Sequence, residues 1–165
     1  MKAYYIFQQA DDETINNILE WMRNQERGVY HAAVRELGQL KKLRPLYIQN
    51  KPIAEQFAFI KKTLSWKPSE EIGDHLLQVW LLRKHEQMLI EFLNTLCIVH
   101  NGHGVVDTLP ETLDKEKLAQ AVDHLFEKYS PGVASVYLQM FQLQTNKGWA
   151  ELADILANDP RVTIR

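Results

Sequence analysis

The sequence predicts a mostly α-helical protein, and three observations carry this prediction. Apolar residues recur at helical spacing over most of the 165 residues. Residues that favour helix ends, such as Asp114 and Gly102, stand between these stretches. The apolar and charged fractions, 45% and 24%, are those of an ordinary globular protein. We therefore expect a single compact bundle of about seven helices over residues 1–165, with a weak seam near residues 67–69.

Three helices are predicted before this seam. Asp11 is the expected N-cap of the first, which Arg27-Gly28 ends. The second should end before Pro45, because proline restricts the residue that precedes it. Residues 46–51 then form a connection, and Pro52 opens the third helix. The apolar stripes of these helices are Ile15, Ile18, Leu19 and Met22, then Tyr30, Ala33, Val34, Leu37 and Leu40, then Ile53, Phe57, Ile60 and Leu64.

Four further helices are predicted after the seam. Ser69 is the expected N-cap of a long, largely apolar helix, Ile72–Ile98, which continues or bends at Arg83–Gln87 and lies at the centre of the bundle. Asp114 caps the next helix, and Ser130-Pro131 opens another. A short last helix follows.

Two features outside these helices also give expectations. The terminal segments Ala3–Phe7 and Arg161–Arg165 are predicted as short strands that pair with each other. Trp80 and Trp149 are expected in the core, whereas exposure of Trp21 or Trp66 would indicate a binding face.

The sequence predicts a cytoplasmic protein with no membrane partner. The single Cys97 excludes an internal disulfide, and it lies in an apolar run where we expect a buried thiol. The N-terminus lacks the features of a signal peptide. The longest apolar region, Leu76–Val99, is interrupted by charged residues and is not expected to span a membrane.

Charge is distributed unevenly along a chain whose net charge is only −2. Residues Val34–Lys67 carry eight basic and two acidic residues, and Pro68–Lys128 carry eleven acidic and five basic residues. If each block has one solvent-facing side, the molecule has a basic and an acidic surface. Such surfaces steer association with partners.

The function predicted from this asymmetry is that of a small helical interaction or adaptor protein, which binds another protein or associates head-to-tail with itself. The first alternative is nucleic-acid binding through the basic 34–67 segment. The residues expected to contact a partner or a nucleic acid are Lys41, Lys42, Arg44, Lys51, Lys61 and Lys62.

The second alternative is a metal-dependent hydrolase or metal-binding protein that uses the 100–107 loop. His100, His103 and Asp107 are residue types that ligate metals, and the glycines between them let the backbone fold around an ion. A polar stripe with Glu71 and His75 is interpreted as a solvated helix face.

Common catalytic motifs are missing from the sequence. It contains no phosphate-binding glycine-rich loop, no His-Glu-x-x-His, no Cys-x-x-Cys and no Gly-x-Ser-x-Gly. We therefore expect no cofactor and favour a protein without catalytic activity, although an active site assembled from distant residues leaves no local motif.

Overall fold

A computed structural model describes residues 2–144 and 148–165. These residues form ten α-helices and one short 3-10 helix, Lys67–Ser69, and contain no strand. The all-α prediction is confirmed, but seven helices were too few. The α-helices are α1 (Ala3–Gln9), α2 (Asp12–Gln25), α3 (Arg27–Leu40), α4 (Pro45–Gln49), α5 (Ile53–Leu64), α6 (Glu70–Lys84), α7 (Glu86–Thr95), α8 (Lys115–Lys128), α9 (Pro131–Gln144) and α10 (Ala150–Asn158).

The three additional helices have identifiable origins. Helix α4 occupies most of the predicted connection 46–51, α1 replaces a predicted strand, and the long apolar helix is broken at His85 into α6 and α7. Helix α1 has no capping side chain of its own, since Lys2 makes no cap bond. Its first amides, from Ala3 and Tyr4, donate to the Glu70 carboxylate at 2.9 and 3.1 Å. Because this cap comes from a residue far away in the sequence, the local pattern of residues 3–7 predicted a strand instead of a helix.

The carboxyl-terminal segment is not a strand either, so the predicted pairing of the termini is wrong. Val162 and Ile164 are buried, as expected of a strand, but the segment is bonded to α9. The amide of Gln139 donates to the carbonyl of Ile164 at 2.8 Å, and the backbone N–H of Thr163 donates to the Ser135 hydroxyl at 2.9 Å. Helix side chains thus satisfy the peptide groups that a strand partner would otherwise satisfy.

Two predicted helix caps are confirmed and a third is not. Asp11 accepts a hydrogen bond from the backbone of Thr14 at 2.6 Å, and Asp114 accepts one from the backbone of Glu116 at 2.9 Å. Ser69 instead is fully buried, with its hydroxyl 2.8 Å from the carbonyl of Thr63 and 2.7 Å from that of Trp66. It therefore closes the end of α5 rather than opening α6.

The chain divides into two compact units, Met1–Trp80 and Leu81–Arg165. In the first, α2 packs on α3, and α5 contacts each of the four helices before it. Leu37, Ile60 and Trp80 are among the fully or almost fully buried side chains. The seam predicted at 67–69 coincides with the 3-10 helix, and the single-domain arrangement stays a prediction.

In the second unit, α8 contacts both α7 and α9, and α10 packs on α9. Every residue of α9 from Gly132 to Phe141 is buried, and its polar members in this range, Ser135 and Gln139, bond the carboxyl-terminal segment. Phe92 of α7 meets Tyr137 and Phe141 of α9 edge to face, with ring centroids 5.1 and 5.3 Å apart. Helix α9 is thus the enclosed element of this unit, a role that the sequence had suggested for Ile72–Ile98.

Within the described ranges, none of the helices combines the length and the apolar character that a membrane span requires.

Candidate functional site

Exposed apolar side chains concentrate where the chain is most basic. Eight large apolar side chains are exposed among the described residues, and five of these lie between residues 40 and 66. All six basic residues predicted to contact a partner lie within the same segment. We give the name α4 face to ten solvent-accessible residues of this segment: Leu40, Lys41, Lys42, Arg44, Leu46, Tyr47, Lys51, Ile53, Lys62 and Trp66.

Helix α4 presents its apolar residues outward because only one of them anchors it. Ile48 is fully buried, whereas Leu46 and Tyr47 are 68% and 58% exposed. Gly38 of α3 makes room for this anchor, because a β-carbon there would lie 3.1 Å from Cδ1 of Ile48. Pro45 occupies the first turn of α4, where its missing N–H costs no helical hydrogen bond.

The chain reaches α4 through a tight helix-ending turn at Lys42. Lys42 has φ +56°, its N–H donates to the carbonyl of Gln39 at 3.0 Å, and the N–H of Leu43 donates to that of Gly38 at 2.8 Å. These two bonds define a Schellman motif with Lys42 at the left-handed position that glycine usually occupies. The motif reverses the chain directly after α3.

A lysine ammonium group lies over each of two exposed aromatic rings of the α4 face. Lys41 Nζ lies 3.8 Å from the ring centroid of Trp66, and Lys51 Nζ lies 5.1 Å from that of Tyr47. Trp66 is 44% exposed, which the sequence reasoning took as the sign of a binding face. Trp80 and Trp149 are buried, as predicted.

The structure separates the six predicted contact residues into two groups. Lys61 bonds Asp12 of α2 at 2.5 Å, and Lys51 bonds Glu55 at 2.8 Å, which raises the pKa of Lys51. These two lysines stabilise their own fold. Lys41, Lys42, Arg44 and Lys62 are exposed and join no ion pair within residues 2–144 and 148–165. Their charges are therefore available to a partner.

A groove between α3 and α6 borders this face, and sequence reasoning did not identify it. It consists of two adjoining clefts of about 360 and 390 Å³ that share Glu36, Glu71 and Ile72. One cleft runs along α3 towards Gly28, and the other ends at Leu40, which belongs to the α4 face. We call it the α3–α6 groove; its remaining lining residues are Val29, Ala32, Ala33, Gln39, Pro68, His75 and Leu76.

Two of the three predicted metal-binding residues, His100 and His103, contact α7, and the third, Asp107, is exposed. A ring nitrogen of His100 lies 3.1 Å from the amide oxygen of Asn94, and one of His103 lies 2.6 Å from the carboxylate of Glu86. The other ring nitrogen of His100 accepts from the N–H of Gly102 at 3.1 Å. In the part of the chain that the structure describes, no three His, Cys, Asp or Glu side chains cluster closely enough to hold a metal. Metal binding by His100, His103 and Asp107 stays a prediction.

Glycine geometry fixes the 100–107 loop against α7. Gly104 has φ +77°, and a β-carbon there would lie 2.7 Å from Cβ of Leu89. Gly102 also has a positive φ, +86°, but a β-carbon there would meet nothing within 4 Å. The close approach at Gly104 shows that packing on α7 accounts for this part of the loop.

Cys97 is exposed, which corrects the expectation of a buried thiol. It has φ +55°, and the N–H of Ile98 donates to the carbonyl of Leu93 at 2.9 Å, so Cys97 holds the left-handed position of a second Schellman motif. This backbone conformation turns the thiol out of the apolar run. Lys117 donates a hydrogen bond to Cys97 Sγ at 3.2 Å, and this bond raises the pKa of Lys117.

No protein-family model, curated protein or solved structure matches the chain. Function therefore has to be inferred from the surfaces that the chain itself presents. The α4 face combines five of the eight exposed large apolar side chains of the described residues with Lys42, Arg44 and Lys62, which join no ion pair there.

Proposed function

We propose that the protein is an interaction protein that binds a protein partner through the α4 face. The observation that supports this proposal is that exposed Leu46, Tyr47 and Trp66 lie in the same segment, residues 40–66, as Lys42 and Arg44, which join no ion pair among the described residues. Exposed apolar residues scattered singly are ordinary, but a cluster of them bordered by charge is typical of an interaction site. The proposal involves no catalysis and no cofactor.

The apolar and charged residues of the face have separate roles in this proposal. Burial of apolar area contributes about 25 cal/mol per Å², so Leu46 and Tyr47 supply affinity. Exposed ion pairs contribute only about 0–1 kcal/mol each, so the cations act mainly on association rate and orientation. The partner surface that fits is apolar at its centre and acidic at its rim. The single cysteine supports a cytoplasmic setting.

A capture experiment with matched variants tests the proposal. The wild-type protein is compared with Leu46→Ser/Tyr47→Ser and with Lys42→Glu/Arg44→Glu, using nuclease-treated lysate and quantitative mass spectrometry. Glu20→Lys/Glu127→Lys serves as control, because both carboxylates are exposed and lie outside the α4 face. We expect proteins that the wild type and the control retain but both face variants lose. If the same proteins bind all four, the α4 face has no such role.

Nucleic-acid binding is the second candidate, and the exposed rings of Tyr47 and Trp66 beside lysines favour it. Bases stack on such rings, while phosphates pair with the cations. This function predicts that a labelled single-stranded oligonucleotide binds at low salt, with a steep loss as salt rises. Lys41→Glu/Lys42→Glu should abolish the binding. An oligonucleotide whose mobility is unchanged at low salt eliminates this candidate.

A further inference from the structure

We propose that the partner of the α4 face is a second copy of this chain, and that the α3–α6 groove of that copy receives it. The inference rests on the proposed function and names its partner. Each chain would then present both a basic face and an acidic groove, so the face of one copy can meet the groove of another.

Charge is the first observation that supports this pairing. Glu36 and Glu71 are exposed, line both clefts of the groove, and join no ion pair within the described ranges. Lys42 and Arg44 of the α4 face are likewise exposed and without an ion-pair partner. Each surface therefore carries the charge that complements the other, which favours their association and fixes their orientation.

Shape is the second observation. The groove has two adjoining clefts, of about 360 and 390 Å³, and the α4 face projects two neighbouring side chains, Leu46 and Tyr47. Open space at Gly28, where a β-carbon would meet nothing within 4 Å, leaves the groove accessible at its α3 end. Two apolar side chains can thus enter two clefts while the cations meet the carboxylates at the shared rim.

The contact has to form between copies rather than within one. Ile48 is fully buried and holds α4 against its own α3, with Gly38 allowing the close approach. In this position Leu46 and Tyr47 remain 68% and 58% exposed, so they do not fill the groove of their own chain. A surface complementary to another surface of the same molecule is a route to self-association.

Sedimentation equilibrium of purified protein with charge-reversal variants tests the inference. The groove variant is Glu36→Lys/Glu71→Lys, the face variant is Lys42→Glu/Arg44→Glu, and the combined variant carries all four changes. The control is Glu20→Lys/Glu127→Lys, which changes the net charge as much as the groove variant does. Circular dichroism melting verifies that every variant is folded.

We expect the wild type and the control to self-associate, more weakly as salt screens the charges. Each single-surface variant should raise the dissociation constant by about tenfold or more, and the combined variant should return to within about threefold of the wild type. Only complementary surfaces produce this recovery, whichever symmetry the assembly has. Gly28→Phe, which fills the groove without changing charge, should also weaken association.

The possible failures are distinguishable. A wild type that is monomeric at every concentration overturns the self-association, while loss of captured proteins in the face variants would still support the proposed function. Self-association that none of the three variants alters places the contact elsewhere on the chain and overturns the inference. A combined variant that stays monomeric shows that the two surfaces do not meet.

Discussion

Helix α9 and helix α4 use apolar residues in opposite ways. From Gly132 to Phe141 every residue of α9 is buried, whereas α4 buries Ile48 and exposes Leu46 and Tyr47. Of the eight exposed large apolar side chains in the described residues, six lie in Met1–Trp80 and two, Val99 and Val105, in Leu81–Arg165. Apolar content therefore indicates helix formation in both units, but only burial separates residues that build a core from residues available to a partner.

The sharpest test of this contrast is the same substitution in both helices. Leu138→Ala in α9 removes a fully buried side chain and should lower the free energy of unfolding by about 2–5 kcal/mol. Leu46→Ala in α4 removes a side chain that is 68% exposed and should change it by less than about 0.5 kcal/mol. Urea denaturation measures both. Equal losses would mean that α4 is packed as tightly as α9.

The second test concerns His85, at the start of the Leu81–Arg165 unit. Burial, and to a lesser extent the charge of Lys84, lowers its pKa to about 4. The unfolded chain, with a histidine pKa of about 6.5, binds more protons between these values, so the free energy of unfolding should fall as pH decreases from about 6.5 to 4. The loss should total about 2–3 kcal/mol. His85→Gln should flatten this profile, and an unaltered slope would show that His85 is not its source.

The third test compares two glycines of the 100–107 loop. Both have positive φ, but only at Gly104 does a β-carbon meet Leu89. Gly102→Ala should cost about 1 kcal/mol for the backbone conformation. Gly104→Ala should cost about 1–3 kcal/mol more, because Leu89 is buried and has to shift. Thermal unfolding distinguishes them, and identical melting temperatures would mean that the loop is not packed on α7.

The smallest expected effect lies at the two Schellman motifs, one in each unit. Lys42→Gly and Cys97→Gly relieve a left-handed conformation and should each stabilise the fold by about 1 kcal/mol. Lys42→Gly should also weaken binding at the α4 face, while Cys97→Gly should leave it unchanged. Lower stability in both variants would show that these side chains contribute contacts that outweigh the backbone strain.

Sequence reasoning succeeded where the determinants are local. The α class, the Asp11 and Asp114 caps and the burial of Trp80 and Trp149 follow from periodicity and residue type, and the structure confirms them. Of the six basic residues predicted to contact a partner, Lys41, Lys42, Arg44 and Lys62 are exposed without an ion pair among the described residues, and their role as contacts stays a prediction.

Sequence reasoning failed where a distant residue decides the outcome. Helix α1 depends on a carboxylate 67 positions away, and the terminal segment is bonded by α9 side chains rather than by a strand. The sequence pattern does not distinguish Lys51 and Lys61 from cations without a partner, but in the structure each forms an ion pair. The α3–α6 groove combines α3 with Glu71, His75 and Ile72 of α6, so no local motif could have predicted it.

The uninterrupted burial of α9 also makes it an internal reference for hydrogen–deuterium exchange. Its central amides can exchange only when the surrounding unit opens as a whole, whereas those of the five-residue α4 can exchange by fraying. If copies dock at α4, its deuterium uptake should therefore be slower at high protein concentration than at low concentration. The uptake of α9, which docking at α4 should not change, would serve as the internal reference for that comparison.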